Sequence, residues 1–180
     1  MLEKEYKCII DEETYNRIKG KYKWNHVFEQ TNHYYFDVSG ELSGKNVTVR
    51  VREKDGTKKL QIKKHRKNAD ALQICEESEF DIDSVPEVIE NGEKFVGEKT
   101  GKLVNIGALT TLRNSCMWNE TTEICLDKSD YVGCTDYEIE VEYTGEAPTA
   151  LMEELKRYGA LFEGKTPGKY SRFLRKLKEK

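Results

Sequence analysis

The sequence predicts an α+β domain built mainly on an antiparallel sheet or closed barrel. Three observations carry this. Several segments of seven to eleven residues alternate apolar and polar side chains with period two. At least one pair of them is joined by an Asp-Gly turn, the chemistry of a tight hairpin. A few short amphipathic stretches fall between or after the strands, and no βαβ rhythm runs through the chain.

Residues 2–10 (LEKEYKCII) alternate and read as a strand. Asp11 stands where an N-cap would, ahead of a helix over 12–22. Residues 27–37 (VFEQTNHYYFD) are extended, and 38–45 form a turn-rich link with Ser39, Gly40 and Gly44. Residues 46–53 (NVTVRVRE) and 58–64 (KKLQIKK) pair through the turn Lys54-Asp55-Gly56-Thr57. Residues 72–82 (LQICEESEFDI) form another strand. Ser84 and Glu87 match a capping box, which predicts a helix over about 85–95. A second hairpin joins 103–113 to 121–127, and 135–143 (TDYEIEVEY) is a further strand. Pro148 suits the first turn of a helix over about 147–158 that ends at Gly159. Residues 169–178 place Tyr170, Phe173, Leu174 and Leu177 on one helical face.

The chain has 180 residues, of which 37% are hydrophobic and 35% charged. That suits one domain spanning 1–180, yet the charge is high against an ordinary quarter. A net charge of -3 argues against a broad basic surface for duplex nucleic acid. No apolar run approaches the length of a membrane span. Five cysteines without a Cys-x-x-Cys pair read as free thiols, hence a cytoplasmic protein. None has a histidine partner in the sequence, so a nucleophilic thiol is not expected. His26, His33 and His65 lack ligand spacing and read as surface or loop residues.

The charges fall in blocks. Positions two apart on a strand share a face. Glu3, Glu5 and Lys7 share one; so do Arg50 and Arg52, and Lys59, Gln61 and Lys63. Glu77 and Glu79 share another, and Glu138, Glu140 and Glu142 a last one. One such strand is an ordinary half-solvated strand. Several, each with blocks of one sign, need counter-charges or bound ions. A closed sheet would face acidic strands with basic ones across an interior. Carboxylate clusters suit hard cations such as magnesium or manganese, and paired arginines suit phosphate. The pattern therefore points to a metal–polyphosphate site. Glu142 reads as a solvated rim residue.

Taken together these residues resemble the CYTH, or triphosphate tunnel, family. Glu3-Lys4-Glu5-Tyr6-Lys7 is similar to its N-terminal Glu-x-Glu-x-Lys signature. Tyr34-Tyr35-Phe36-Asp37, Arg50-Val51-Arg52, Leu60-Gln61-Ile62-Lys63 and the Glu77/Glu79 pair follow in the family's order. So do Arg113, Asp127, Gly133, Glu138-Ile139-Glu140, and Lys169 with Tyr170 and Arg172. The resemblance implies an eight-stranded antiparallel tunnel with flanking helices. It implies that Glu3, Glu5, Asp127, Glu138 and Glu140 hold Mg2+ or Mn2+. Lys7, Arg50, Arg52, Lys63, Arg113, Lys169 and Arg172 would hold phosphates. Lys63 and Tyr35 would assist proton transfer, and Glu77 and Glu79 would be further acidic residues of the tunnel. Some members carry a basic residue where this chain has Cys75. The implied activity is hydrolysis of a triphosphate, with inorganic tripolyphosphate preferred. An adenylate cyclase making cyclic AMP, or a non-catalytic polyphosphate-binding module, are the alternatives. The expected partner is a small-molecule triphosphate, and a homodimer is left open.

Overall fold

Strand β1 (Leu2–Ile10) runs into helix α1 (Glu12–Lys21), whose first turn is capped by Asp11 accepting from the Thr14 N–H at 2.7 Å. Strands β2 (His26–Asp37), β3 (Val47–Lys54), β4 (Thr57–His65) and β5 (Leu72–Asp81) follow. Then come β6 (Val88–Ile89), α2 (Glu93–Val96), β7 (Leu103–Asn119), β8 (Thr122–Tyr131) and β9 (Cys134–Tyr143). Helices α3 (Thr149–Arg157) and α4 (Lys169–Lys178) close the chain. This computed structural model describes residues 2–42, 44–66 and 72–180, with side chains from Lys4 onward.

The strand order is β2-β3-β4-β5-β1-β9-β8-β7-β6, and β2 also pairs with β7 along its whole length. That last pairing closes eight antiparallel strands into a barrel, with β6 a short addition on β7. The β3–β4 turn places both Asp55 (φ 50°) and Gly56 (φ 74°) in the left-handed region, as a type I′ turn requires. A bulge between Tyr34 and Tyr35 of β2, opposite Gly107 and Asn105 of β7, bends the closing seam.

The apolar core lies outside the barrel wall. Helices α1 and α3 cover one side with Tyr15, Ile18, Leu151 and Leu155 against Ile124, Leu126, Ile139 and Val141. The link after β2 and the β6–α2 segment cover another with Leu42, Ile89 and Val96 against Val49, Val51, Leu60 and Ile62. Asp37 holds that link: its carboxylate accepts from the backbone N–H groups of Ser39, Leu42 and Gly101. Helix α4 packs at the barrel end through Phe173, which meets Tyr34, Leu109 and Tyr131. A Cβ on Gly107 (φ 125°) would stand 3.0 Å from the Phe173 ring, so a side chain there would push the helix away.

The expected helix over 85–95 does not form. Its backbone is drawn onto β7 instead: Val88 and Ile89 pair with Val104 and Leu103, and the Glu87 carbonyl accepts from Asn105. Burying Ile89 against Leu103 outweighs the local capping signal, and only one helical turn survives. Pro148 is the N-cap of α3 rather than a residue of its first turn.

Candidate functional site

Alternate residues on every strand point into the barrel, so the period-two charge blocks line its interior. A cavity of about 730 Å³ runs there. Its acidic side is built from three neighbouring strands, β1, β9 and β8. Cross-strand pairing sets Glu5 against Glu142, Lys7 against Glu140, and Asp127 against Glu138. Two groups of carboxylates result, Glu5/Glu140/Glu142 and Asp127/Glu138/Glu140, each with its ligand atoms within 4.8 Å of one another. Glu140 belongs to both.

Burying so many carboxylates is costly unless cations match them. Here three do. Arg113 of β7 makes a two-pronged contact with Asp127 (2.8 and 2.7 Å) and also reaches Glu140. Lys169, at the start of α4, reaches Asp127 at 2.8 Å, Glu140 at 2.7 Å and Glu138. Lys7 lies 2.6 Å from Glu5 and 3.9 Å from Glu140. Burial opposes the charge on each cation, but the carboxylates outweigh it and hold Lys7, Arg113 and Lys169 above their ordinary pKa values. Burial likewise opposes ionisation of Asp127, yet Arg113 and Lys169 hold its pKa down. Glu138 goes the other way: burial outweighs Lys169, Arg172 and Lys7 and raises its pKa.

The basic side lies on β3 and β4. Arg50 donates to Gln61 (2.7 Å) and to Glu77 (3.4 Å), and Lys63 lies 3.5 Å from Glu77. Among the described residues Arg52 donates to one neutral partner, the Asn32 side-chain oxygen at 3.2 Å. Burial, then Arg50 and Arg113, push the Arg52 pKa downward. Asn32 is fully buried, and its Nδ2 has no partner among the described residues. A crowded guanidinium beside an unsatisfied buried donor is an environment that would favour an anion.

The donor set fits a hard divalent cation, since the groups consist entirely of carboxylate oxygens. Glu5, Glu140 and Glu142 line the cavity. Asp127 and Glu138 lie fully buried behind Lys169, Arg113 and Arg172. Glu142 therefore joins an interior acidic group rather than the solvated rim. Its placement follows from the pairing with Glu5, a non-local contact.

Most expected site residues with described side chains meet in this interior. The Glu3 side chain lies outside the described residues. Glu77 faces Arg50 and Lys63, whereas Glu79 is exposed at the mouth beside Gln61 and Lys59. Two expectations are corrected. Tyr35 points outward into the apolar cover, and its hydroxyl donates to the Pro86 carbonyl at 2.5 Å. Burial, then Glu87, push its phenol up to about 12, which does not suit proton transfer. Both tyrosines contribute to the cavity wall, and Tyr34, of opposite parity, packs against Tyr170 and Phe173. Tyr35→Phe should therefore leave catalysis within about twofold of wild type. It should cost about 1 kcal/mol of stability, the worth of one hydrogen bond, which thermal unfolding beside an activity assay would show.

Arg172 is the second correction. Its guanidinium is taken up by Asp136 (2.8 Å), Glu138 (2.7 Å) and the Pro167 carbonyl (2.5 Å). It anchors α4 to β9 and does not line the cavity. Sequence reasoning also missed His65. It lines the cavity and pairs with Cys75 of β5, Nδ1 to Sγ 3.1 Å.

The CYTH domain family matches residues 1–165. The chain belongs to the CYTH family. In this CYTH protein, helix α4 lies beyond the matched residues and still delivers Lys169 to the acidic wall. Solved structures share the fold. A proposed adenylyl cyclase from Hippeastrum with a dominant triphosphatase activity superposes with a TM-score of 0.78 at 22% identity, over 96% of this chain and 95% of that one. A proposed adenylate cyclase from Bacillus halodurans gives 0.72 at 24% identity, over 94% and 95%. A protein from Pyrococcus horikoshii gives 0.67 at 15% identity, over 97% and 99%. No curated protein matches the chain. No described helix is long and apolar enough to cross a membrane.

Proposed function

We propose that this CYTH protein is a divalent-metal-dependent triphosphatase that cleaves inorganic tripolyphosphate to pyrophosphate and phosphate. One observation carries the reading: a carboxylate wall (Glu5, Glu140, Glu142) and a cationic wall (Arg50, Arg52, Lys63) line the same cavity. A site that bound anions alone would have no use for the carboxylates, which repel phosphate. Magnesium or manganese, when bound to them, supplies Lewis-acid chemistry: neutralised phosphate charge and a more acidic water.

The protein's own groups do the rest. Arg50, Arg52 and Lys63 bind and orient the phosphates, and Arg52 with the Asn32 amide offers donors that the resting site leaves underused. Lys7, Arg113 and Lys169 pair with Glu140 and favour its ionised form. The dominant triphosphatase activity of the Hippeastrum relative supports hydrolysis over cyclisation. The five cysteines, none in a disulfide, support a cytoplasmic setting.

The test is phosphate, pyrophosphate and cyclic AMP release from tripolyphosphate, ATP and thiamine triphosphate, with magnesium, manganese or excess EDTA. Phosphate release should be greatest from tripolyphosphate and fall to background in EDTA. Cyclic AMP matched by pyrophosphate from ATP would move the assignment to a cyclase. Binding without turnover would leave a polyphosphate-binding module.

A further inference from the structure

His65 and Cys75 stand outside the roles assigned so far. His65 ends β4, two residues beyond Lys63, and its backbone N–H donates to the Asn46 carbonyl at 3.0 Å. Cys75 is its direct cross-strand partner on β5. The thiol is buried and sits 3.1 Å from the imidazole Nδ1. That contact occupies one ring nitrogen and fixes the ring, leaving the other for a ligand. The ring lines the same cavity as Lys7, Arg50 and Lys63.

Charges of both signs surround the ring, with cations the more numerous. Facing it are Lys63 on its own strand, Lys7 and Glu5 on β1, and Arg50 on β3, with the Cys75 thiol on β5 and, two residues on, Glu77, the partner of Lys63 and Arg50. Burial, then Lys63 and Lys7, lower its pKa and favour the neutral imidazole, and Glu5 opposes them with a smaller effect. A polyphosphate held by the same lysines and arginines reverses the local field, and an opposite charge within about 4–6 Å favours the protonated ring by about 1–3 pH units. His65, across from the Cys75 thiol, can supply a positive charge on demand.

We propose that His65 is a further phosphate-contacting residue of the tunnel, held in place by Cys75, which takes up a proton when a polyphosphate binds. The proposal rests on the triphosphate reading of the cavity. It predicts binding that tightens as pH falls from 8 to 6, and a phosphate path that extends to the β4–β5 end of the interior.

The chain has only three histidines, His26, His33 and His65, so their ring resonances can be followed individually by NMR. Tripolyphosphate would be added in EDTA, where no metal-dependent turnover occurs, and the rings titrated with and without it. One midpoint should rise by about one pH unit or more, and that resonance should be missing from His65→Gln. His65→Arg should bind tripolyphosphate with little pH dependence between 6 and 8 by calorimetry. If wild type binds tripolyphosphate while the His65 midpoint stays put, this inference falls and the triphosphate reading stands. If wild type does not bind it in EDTA at either end of the pH range, this inference falls, and hydrolysis in magnesium or manganese decides the triphosphate reading separately.

Discussion

Glu140→Gln should lower metal-dependent tripolyphosphate hydrolysis by at least about 100-fold, the scale on which one metal-holding or charge-stabilising group acts. Glu140 is the member shared by both carboxylate groups, so one neutralised side chain weakens each of them. Glutamine keeps the shape and removes the charge. Apparent metal affinity should fall alongside turnover, which a manganese titration followed by paramagnetic resonance would read. Turnover within tenfold of wild type, in a folded variant, would sink the metal role of this wall.

The same substitution bears on stability. Lys7, Arg113 and Lys169 share the Glu140 carboxylate, so its loss leaves three buried cations with less compensation. The cost should be about 1–3 kcal/mol. Burial opposes the charge on Glu140, but Lys169, Arg113 and Lys7 outweigh it and hold its pKa well below the ordinary range. A carboxylate depressed in this way adds stability that is complete above its unfolded value of about 4.3. That stability is lost as pH falls through the folded value. Below about pH 4 the wild type should therefore lose melting temperature more steeply than Glu140→Gln.

Arg52→Gln should separate function from stability. Among its described contacts Arg52 has one hydrogen bond, to a neutral amide, and it is repelled by Arg50 and Arg113. Its charge is costly in the resting protein and repaid only by an anion. Losing a charged contact to phosphate, about 1.5–3 kcal/mol, should raise KM for tripolyphosphate about 10- to 100-fold. The fold should gain: Tm should rise by about 2–4 °C for each kcal/mol of repulsion relieved. Glutamine can still donate to Asn32. A fall in Tm together with unchanged KM would show that Arg52 is structural.

Much of this site was legible before any contact was known, because strand parity is local. Glu5 with Lys7, Arg50 with Arg52, and Glu138 with Glu140 share faces by spacing alone; all but Glu138 line the cavity, and Glu138 lies buried beside Glu140. The turn at Asp55-Gly56 was legible for the same reason, as a backbone preference of two adjacent residues. Other features were not local. Tyr34 and Tyr35 are adjacent, and only the pairing of β2 with β3 and β7 decides which faces inward. The capping box at Ser84 was a sound local signal, overridden when β7 recruited Val88 and Ile89. Arg172 and Lys169 are three residues apart on one helix, yet one anchors the helix and the other reaches the cavity wall. His65 and Cys75 meet only through the β4–β5 register, ten residues apart along the chain. The sequence by itself determined which charges share a strand face, since the pleat repeats every two residues. Which faces oppose one another, and which charges neutralise each other, was decided by closure of β2 onto β7, a pairing between segments about eighty residues apart.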